Sequence, residues 1–473
     1  MFAVFSASAV RRRRAARLAA AALVSGLIAT GSLAGAGMAA ADDGTQHQGG
    51  AVATLDGLKT FDKALLHNDG KNEEISAGLF EMTVDGGGQL KTYCIDIHNP
   101  TQSQAKYLET PWDQTSLRTN KNAGKIRWIL QHSYPQVDDL AVLAKGAEAG
   151  SLTAETAAAG TQVAIWRFSD GADVTAVDPA AEKLADWLEE SAEDVAEPTA
   201  SLSLEPNAVS GKAGSRLGPV TVRTDAGQVT VTPPVDAAAS GVKITDEAGK
   251  PLTSAVDGSK LYFDVPAGAA DGTASLTAQA TMSVPVGRAF ASASKSQTQI
   301  LAGSSQSTVS ATATATWAKT GAIPSVTAEK NCAKGGVDIT AGNKGDSPFT
   351  FELAGIKHTI PAGESRTVTV PVAEDQAYDF TITGPGGFEK NFKGVLDCKT
   401  TGTPQPGTET PSSQPSPASA GGTSAGSEGP EGDLAETGGS SATPMIAGIA
   451  IVLVLIGGGA VFFLRKKASA AGE

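Results

Sequence analysis

The sequence predicts a multidomain chain: an α+β domain, two all-β immunoglobulin-like sandwich domains, a disordered spacer and a C-terminal transmembrane helix. Three observations lead there. Helical periodicity is confined to residues 46–200, short β-type runs between turn residues fill 201–399, and the composition then shifts to Pro, Ser, Thr and Gly before a long apolar run. Without its two ends the chain of 473 residues keeps roughly 350, too many for one core. A formal net charge of −13 argues against nucleic acid as a partner. Few aromatics (5%), 54 glycines and abundant Thr, Val and Ala suit extended β-domains.

Residues 1–41 read as a signal peptide. Arg11, Arg12, Arg13, Arg14 and Arg17 precede a run of small and apolar residues, and Ala39-Ala40-Ala41 offers a cleavage site before Asp42. An uncut N-terminal membrane anchor is the competing reading. The first region, 46–200, is expected to mix strands and helices. Gly78–Val84 alternates as a strand, Gly86–Gly88 turns, and Leu90–Ile97 is its hairpin partner. Helices are expected over Gly124–His132, over the Ala-rich Thr153–Phe168 with Thr153 as N-cap, and over Pro179–Ser191.

The second region, 201–320, reads as a β-sandwich with strands near Val220–Val222, Val229–Val231, Leu261–Val265, Ser275–Val284 and Thr308–Trp317. The third, 323–399, is a shorter sandwich with strands near Val337–Thr340, Phe349–Leu353, Thr367–Val372 and Tyr378–Ile382. The exported compartment is oxidising, so the three cysteines, Cys94, Cys332 and Cys398, leave one over. Cys332 and Cys398 lie near the ends of the third region, where a disulfide would contribute about 4 kcal/mol by loop closure. Pairing of either with Cys94 is the alternative.

Residues 400–433 have almost no apolar side chains and read as a flexible spacer. Leu434-Ala435-Glu436-Thr437-Gly438 follows, then an apolar run at 445–464 and a basic tail at 465–473 opening on Arg465-Lys466-Lys467. The pentapeptide resembles a sortase sorting signal, with Ala435 where the common LPxTG pattern has Pro. The resemblance implies cleavage after Thr437 and attachment of Thr437 to peptidoglycan, with the membrane helix present only in the precursor. A plain single-pass membrane protein is the competing reading. The expected partners are thus sortase and peptidoglycan, and the expected location is secreted and wall-anchored.

Two segments carry chemistry: Tyr93-Cys94-Ile95-Asp96 on a strand and Thr161-Gln162-Val163-Ala164-Ile165-Trp166 on the Ala-rich helix. Together they resemble the thioester domains of Gram-positive surface adhesins, actinobacterial types included. The resemblance implies that the Cys94 thiol attacks the Gln162 carboxamide, ammonia leaves and an internal thioester remains. Tyr93, Asp96, Thr161 and Trp166 would line its pocket. It further implies capture of an amine nucleophile such as Lys on a target surface, a single-use reaction and not enzymic turnover. An amide is a poor electrophile, so rigid mounts on strand and helix suit the reaction. Trp166 lies one helical turn from Gln162, on the same face.

Other readings compete. A lone strand cysteine is often an inert core residue. A cysteine enzyme would use His98 or His132 as base. An inert envelope component would keep an unreactive thioester. No metal, phosphate-loop or nucleotide motif is present and no cofactor is expected. Relatives of this type often carry Lys–Asn isopeptide crosslinks. Asn207 alone in the second region argues against one there, while Asn331, Asn343 and Asn391 leave the third open.

Overall fold

The computed structural model describes residues 49–400, apart from Asp69 and Ala293. The expected signal peptide, residues 401–433 of the expected spacer, and the sorting signal, membrane span and tail expected at 434–438, 445–464 and 465–473 lie outside the described residues. Among the described residues no helix is long and apolar enough to cross a membrane.

The first region opens with two long strands, β1 (Val52–Asn68) and β2 (Lys71–Val84), paired antiparallel over their whole length. Then come β3 (Gln89–Cys94), β4 (Lys106–Thr110), α1 (Ala123–His132), α2 (Leu140–Gly146), α3 (Ala154–Ser169), β5 (Val174–Ala176) and α4 (Pro179–Ser191). Helix α3 starts where the sequence predicts. The Thr153 side chain accepts from the Thr156 backbone, and Thr156 caps Thr153 in return. Every residue from Ala157 to Trp166 is buried. Small side chains allow so close an approach: a Cβ on Gly160 would sit 2.4 Å from the Ala181 carbonyl oxygen of α4. Arg167 then pins α3 to α4 through Glu182 (2.6 Å) and Asp186 (2.8 Å).

The second region holds β6 (Leu202–Glu205), β7 (Ala208–Lys212), β8 (Arg216–Thr224), β9 (Val229–Thr232), a single turn α5 (Ala237–Ser240), β10 (Lys243–Thr245), β11 (Ser254–Ala255), β12 (Lys260–Asp264), β13 (Gly272–Ser283), β14 (Ala289–Ser292), β15 (Gln299–Ser304) and β16 (Gln306–Ala318). Sheets β10-β12-β8-β6 and β11-β9-β13-β16-β7 form its sandwich. The expected strand runs all fall on these strands.

One departure from the sequence reading matters for the site. The hairpin β14–β15 does not belong to the sandwich; it inserts between β4 and β3 of the first region. With β1 pairing both β2 and β4, the strands β1, β2, β3, β15, β14 and β4 close into a ring. A division at residue 200 therefore cuts through one shared hydrophobic core that runs from Ala51 to Trp317. The hairpin gave no alternation to read because nearly every residue of β14 and β15 is buried.

The two regions are also joined by charge. Glu109 on β4 is fully buried and accepts from Arg288 Nε (2.9 Å), the Ala51 and Ser201 backbone N–H groups (3.0 and 2.9 Å) and the Ser201 hydroxyl.

The third region contains β17 (Pro324–Asn331), β18 (Gly336–Asn343), β19 (Phe349–Leu353), β20 (Ile356–Ile360), β21 (Ser365–Pro371), β22 (Ala377–Thr383) and β23 (Glu389–Val395). Its sheets are β17-β18-β21, β19-β20 and β22-β23 around a separate core centred on Ile339, Phe349 and Phe351. Cys332 and Cys398 are disulfide-bonded across its two ends and Cys94 is a free, buried thiol. Asn343 is buried and its amide bonds backbone at both ends, to Ile323 N and to carbonyls including Ser347.

Arg288→Ala should lower unfolding stability by about 3 kcal/mol, because it strands a buried carboxylate. Denaturant melts check this. A control, Lys63→Ala, breaks the exposed Lys63–Glu74 pair and should change stability by less than about 1 kcal/mol.

Candidate functional site

Strand β3 ends at Cys94, three residues short of the predicted Ile97. Its pairing with β2 stops at Thr92 opposite Phe80, while β2 runs on toward Lys71 paired only with β1. On the other side β15 stays in register, with Gln299 opposite Cys94 and the Ile95 N–H donating to the Thr298 carbonyl (3.1 Å). The backbone of Cys94 thus faces a gap left by β2. A buried N–H and carbonyl need partners, and α3 supplies them from one side chain. Cys94 N–H donates to Gln162 Oε1 (2.9 Å), and Gln162 Nε2 donates to the Cys94 carbonyl (2.8 Å). The carboxamide carbon is bonded to both of those anchored atoms, and the thiol belongs to the same cysteine. Both residues are fully buried.

The surroundings set the thiol's charge. Burial, then Asp170, then Asp96 push the Cys94 thiol up, so it is neutral in this pocket. Two groups oppose them. The Asp96 N–H donates to Cys94 Sγ (3.3 Å). The Trp166 indole N–H reaches toward the sulfur and favours its thiolate, yet it makes no well-formed hydrogen bond there and has no other partner. Asp170 caps the end of α3 and its Oδ1 accepts from the Ile97 N–H (3.1 Å). Burial pushes its carboxyl up to about 7. Asp96 is also raised, by burial and then by Asp397 and Asp170.

Of the residues predicted for the pocket, Asp96 and Trp166 flank the thiol. Tyr93 and Thr161, both buried next to the pair, brace the strand and helix. The Tyr93 hydroxyl donates to the Tyr134 carbonyl (2.7 Å), and the Thr161 hydroxyl donates to the Ala157 carbonyl (2.8 Å). Of the two histidines considered as bases, His132 is engaged otherwise: it stacks on Trp128 at 3.9 Å and bonds its carbonyl. Burial lowers His98.

Sequence reasoning missed Asp170 and Asp397. Asp170 was within reach of it: Gln162, Trp166 and Asp170 follow at i, i+4 and i+8 along one face of α3. Asp397 comes from the far end of the third region and carries no local signal.

Residues 91–194 match the family model described as "Thioester domain", a span that includes both Cys94 and Gln162. Residues 324–395 match the model described as "Bacterial phospholipase C, C-terminal domain". Among solved structures the chain is similar to the Bacillus anthracis TIE protein, at 16% identity over 74% of this chain and 81% of that one, with a TM-score of 0.27. It is similar to the thioester domain of the Enterococcus faecium TIE86 protein, at 17% identity over 57% and 97%, with a TM-score of 0.26. The E. coli chaperone DraB follows at 15% identity over 41% and 98%, with a TM-score of 0.18. No curated protein matches the chain. The structural likenesses are too slight to carry weight, whereas the family match falls on the segment that holds the site.

The raised carboxyls have a consequence for stability. Asp170 and Asp397 are held at about 7 and about 6 when folded, above their usual value of 3.8. Between those values the folded chain binds more protons than the unfolded one, so stability falls as pH rises from about 4 to 7. Asp170→Asn should flatten that slope in denaturant melts taken across the same window.

Proposed function

We propose that this chain is a surface adhesin whose Cys94 and Gln162 form an internal thioester for single-use covalent capture of an amine. The observation that supports it most is the reciprocal pair of hydrogen bonds between the Gln162 carboxamide and the Cys94 backbone. It holds a poor electrophile against the residue that carries the nucleophile, which is where positioning contributes most.

Bond formation proceeds in balanced steps. The thiol proton passes to the Asp170 or Asp96 carboxylate, and Sγ attacks the Gln162 amide carbon. The oxyanion that develops on Oε1 lies where the Cys94 N–H already donates. The nitrogen takes a proton and leaves as ammonia. The finished bond is buried, away from bulk water. Later a target amine attacks the same carbon, an amide forms, and the leaving sulfur is stabilised by the Trp166 N–H. No turnover follows, so the reading is of a covalent binder and not an enzyme. A protease-like use of Cys94 is disfavoured by the engagement of His132 with Trp128.

We further propose export by the N-terminal signal, cleavage at Thr437 by sortase and attachment to peptidoglycan, with the β-rich regions and the 400–433 spacer holding the reactive tip away from the wall. The amine-bearing surface ligand is of unknown identity. No cofactor takes part.

Intact mass tests the chemistry. The folded protein should be about 17 Da lighter than its sequence with the disulfide allowed for, the mass of ammonia lost in acyl transfer to sulfur. Cys94→Ala and Gln162→Ala should each carry full mass. Methylamine should add to the wild type and release a titratable thiol. Full mass in the wild type, or a light protein that no amine opens, contradicts the reading; the second outcome favours an inert structural crosslink.

A further inference from the structure

Cys94 and Gln162 are fully buried, and carboxyl groups crowd the segment that follows Cys94. Ile95–Ile97, the segment that follows Cys94, is clasped from two directions. Asp170 on α3 accepts from the Ile97 N–H. On the opposite flank Thr298 takes the Ile95 N–H on its carbonyl, and its hydroxyl donates to Asp397 Oδ2 (2.8 Å). Asp96 lies between them, 1% exposed, with Oδ2 held by Asn99 and Oδ1 buried without any partner. Asp170 and Asp397 are part-exposed, whereas Cys94 and Gln162 are fully buried. Asp170 and Asp397 therefore stand nearer the surface than the reactive pair, with their carboxyls desolvated.

Asp397 comes from the third region. It follows Leu396 and precedes Cys398, whose disulfide to Cys332 fixes the segment. The next residues continue along the site, with the Thr400 hydroxyl donating to the Ser169 carbonyl at the end of α3 (3.5 Å). Glu374 and Asp375 bring carboxylate oxygens within 4.8 Å of Asp397 and of each other. The cations facing this group are few. Lys330 on β17 acts on Asp397, Lys295 on Asp375 and Lys399 on Glu374. Crowded, desolvated carboxyls disfavour one another's charge, and an entering cation relieves that. The orphaned Asp96 oxygen is a buried acceptor with no donor among the described residues.

We propose that Asp96, Asp170 and Asp397 form a receiving site for a primary ammonium group, which they orient and deprotonate for attack on the Gln162 carbonyl. This rests on the thioester reading above. The ammonium gives one proton to a carboxylate, and the free amine attacks Cδ. The C–Sγ bond breaks as the amide forms. The amine nitrogen's second proton leaves to solvent or a second carboxylate, and Cys94 is protonated by the acid. The third region is then part of the reactive site and not only a spacer.

The test uses the full chain and two small nucleophiles, methylamine, which is an ammonium ion at neutral pH, and hydroxylamine, which is uncharged there. Rates are read as loss of the light, thioester-bearing mass. Asp397→Asn keeps the side-chain oxygen that Thr298 bonds. It should slow methylamine at least tenfold and hydroxylamine less than threefold. Equal effects on both, or none on either, would overturn the proposal. A wild-type experiment covers failure of the variant to fold: trimethylammonium should slow methylamine several-fold and leave hydroxylamine unchanged, and no slowing of methylamine overturns the site. A wild type that reacts with neither nucleophile overturns the capture reading itself, and this inference with it.

Discussion

Cys94 ends a strand whose pairing with β2 has already stopped, and its backbone is fully buried. That constraint organises the rest of the site. A lone buried N–H and carbonyl are costly to leave unmet, and the carboxamide of Gln162 fits them as the missing strand residue would. The requirement that satisfies the backbone is also the one that delivers an electrophile to a thiol. Fold and proposed chemistry therefore share one pair of hydrogen bonds.

Each mount in that arrangement has a physical origin. Helix α3 can run buried because alanines and Gly160 let α4 approach its backbone. Thr153 caps its start and Arg167 holds its end to α4. On the strand side, β3 keeps register through β15, which belongs in sequence to the second region. The ring of six strands is incomplete without that hairpin. Glu109 and Arg288, buried together, fasten it beside the junction at Ser201. The β-rich regions thus complete the domain that bears the site as well as extending the chain.

Much of this was legible in the sequence. The two motif segments, the capped Ala-rich helix and the sandwich strands all follow from local pattern, and Cys332 and Cys398 are joined as their positions suggested. What local pattern hides is contact across long separations. The β14–β15 hairpin is buried on both faces and shows no period of two, and nothing near Asp397 announces that it ends up acting on Asp96 and Asp170. Asp170 was readable as the next residue along the face that carries Gln162 and Trp166. Tyr93 and Thr161 stand next to the reactive pair in sequence, and their hydroxyls brace strand and helix.

A high-resolution crystal structure of the purified full chain is the most direct examination of the central claim. It should show continuous density from Cys94 Sγ to the Gln162 side-chain carbon, no amide nitrogen, and the Cys94 N–H still directed at the remaining oxygen. A free thiol beside an intact carboxamide, with both hydrogen bonds in place, would contradict it.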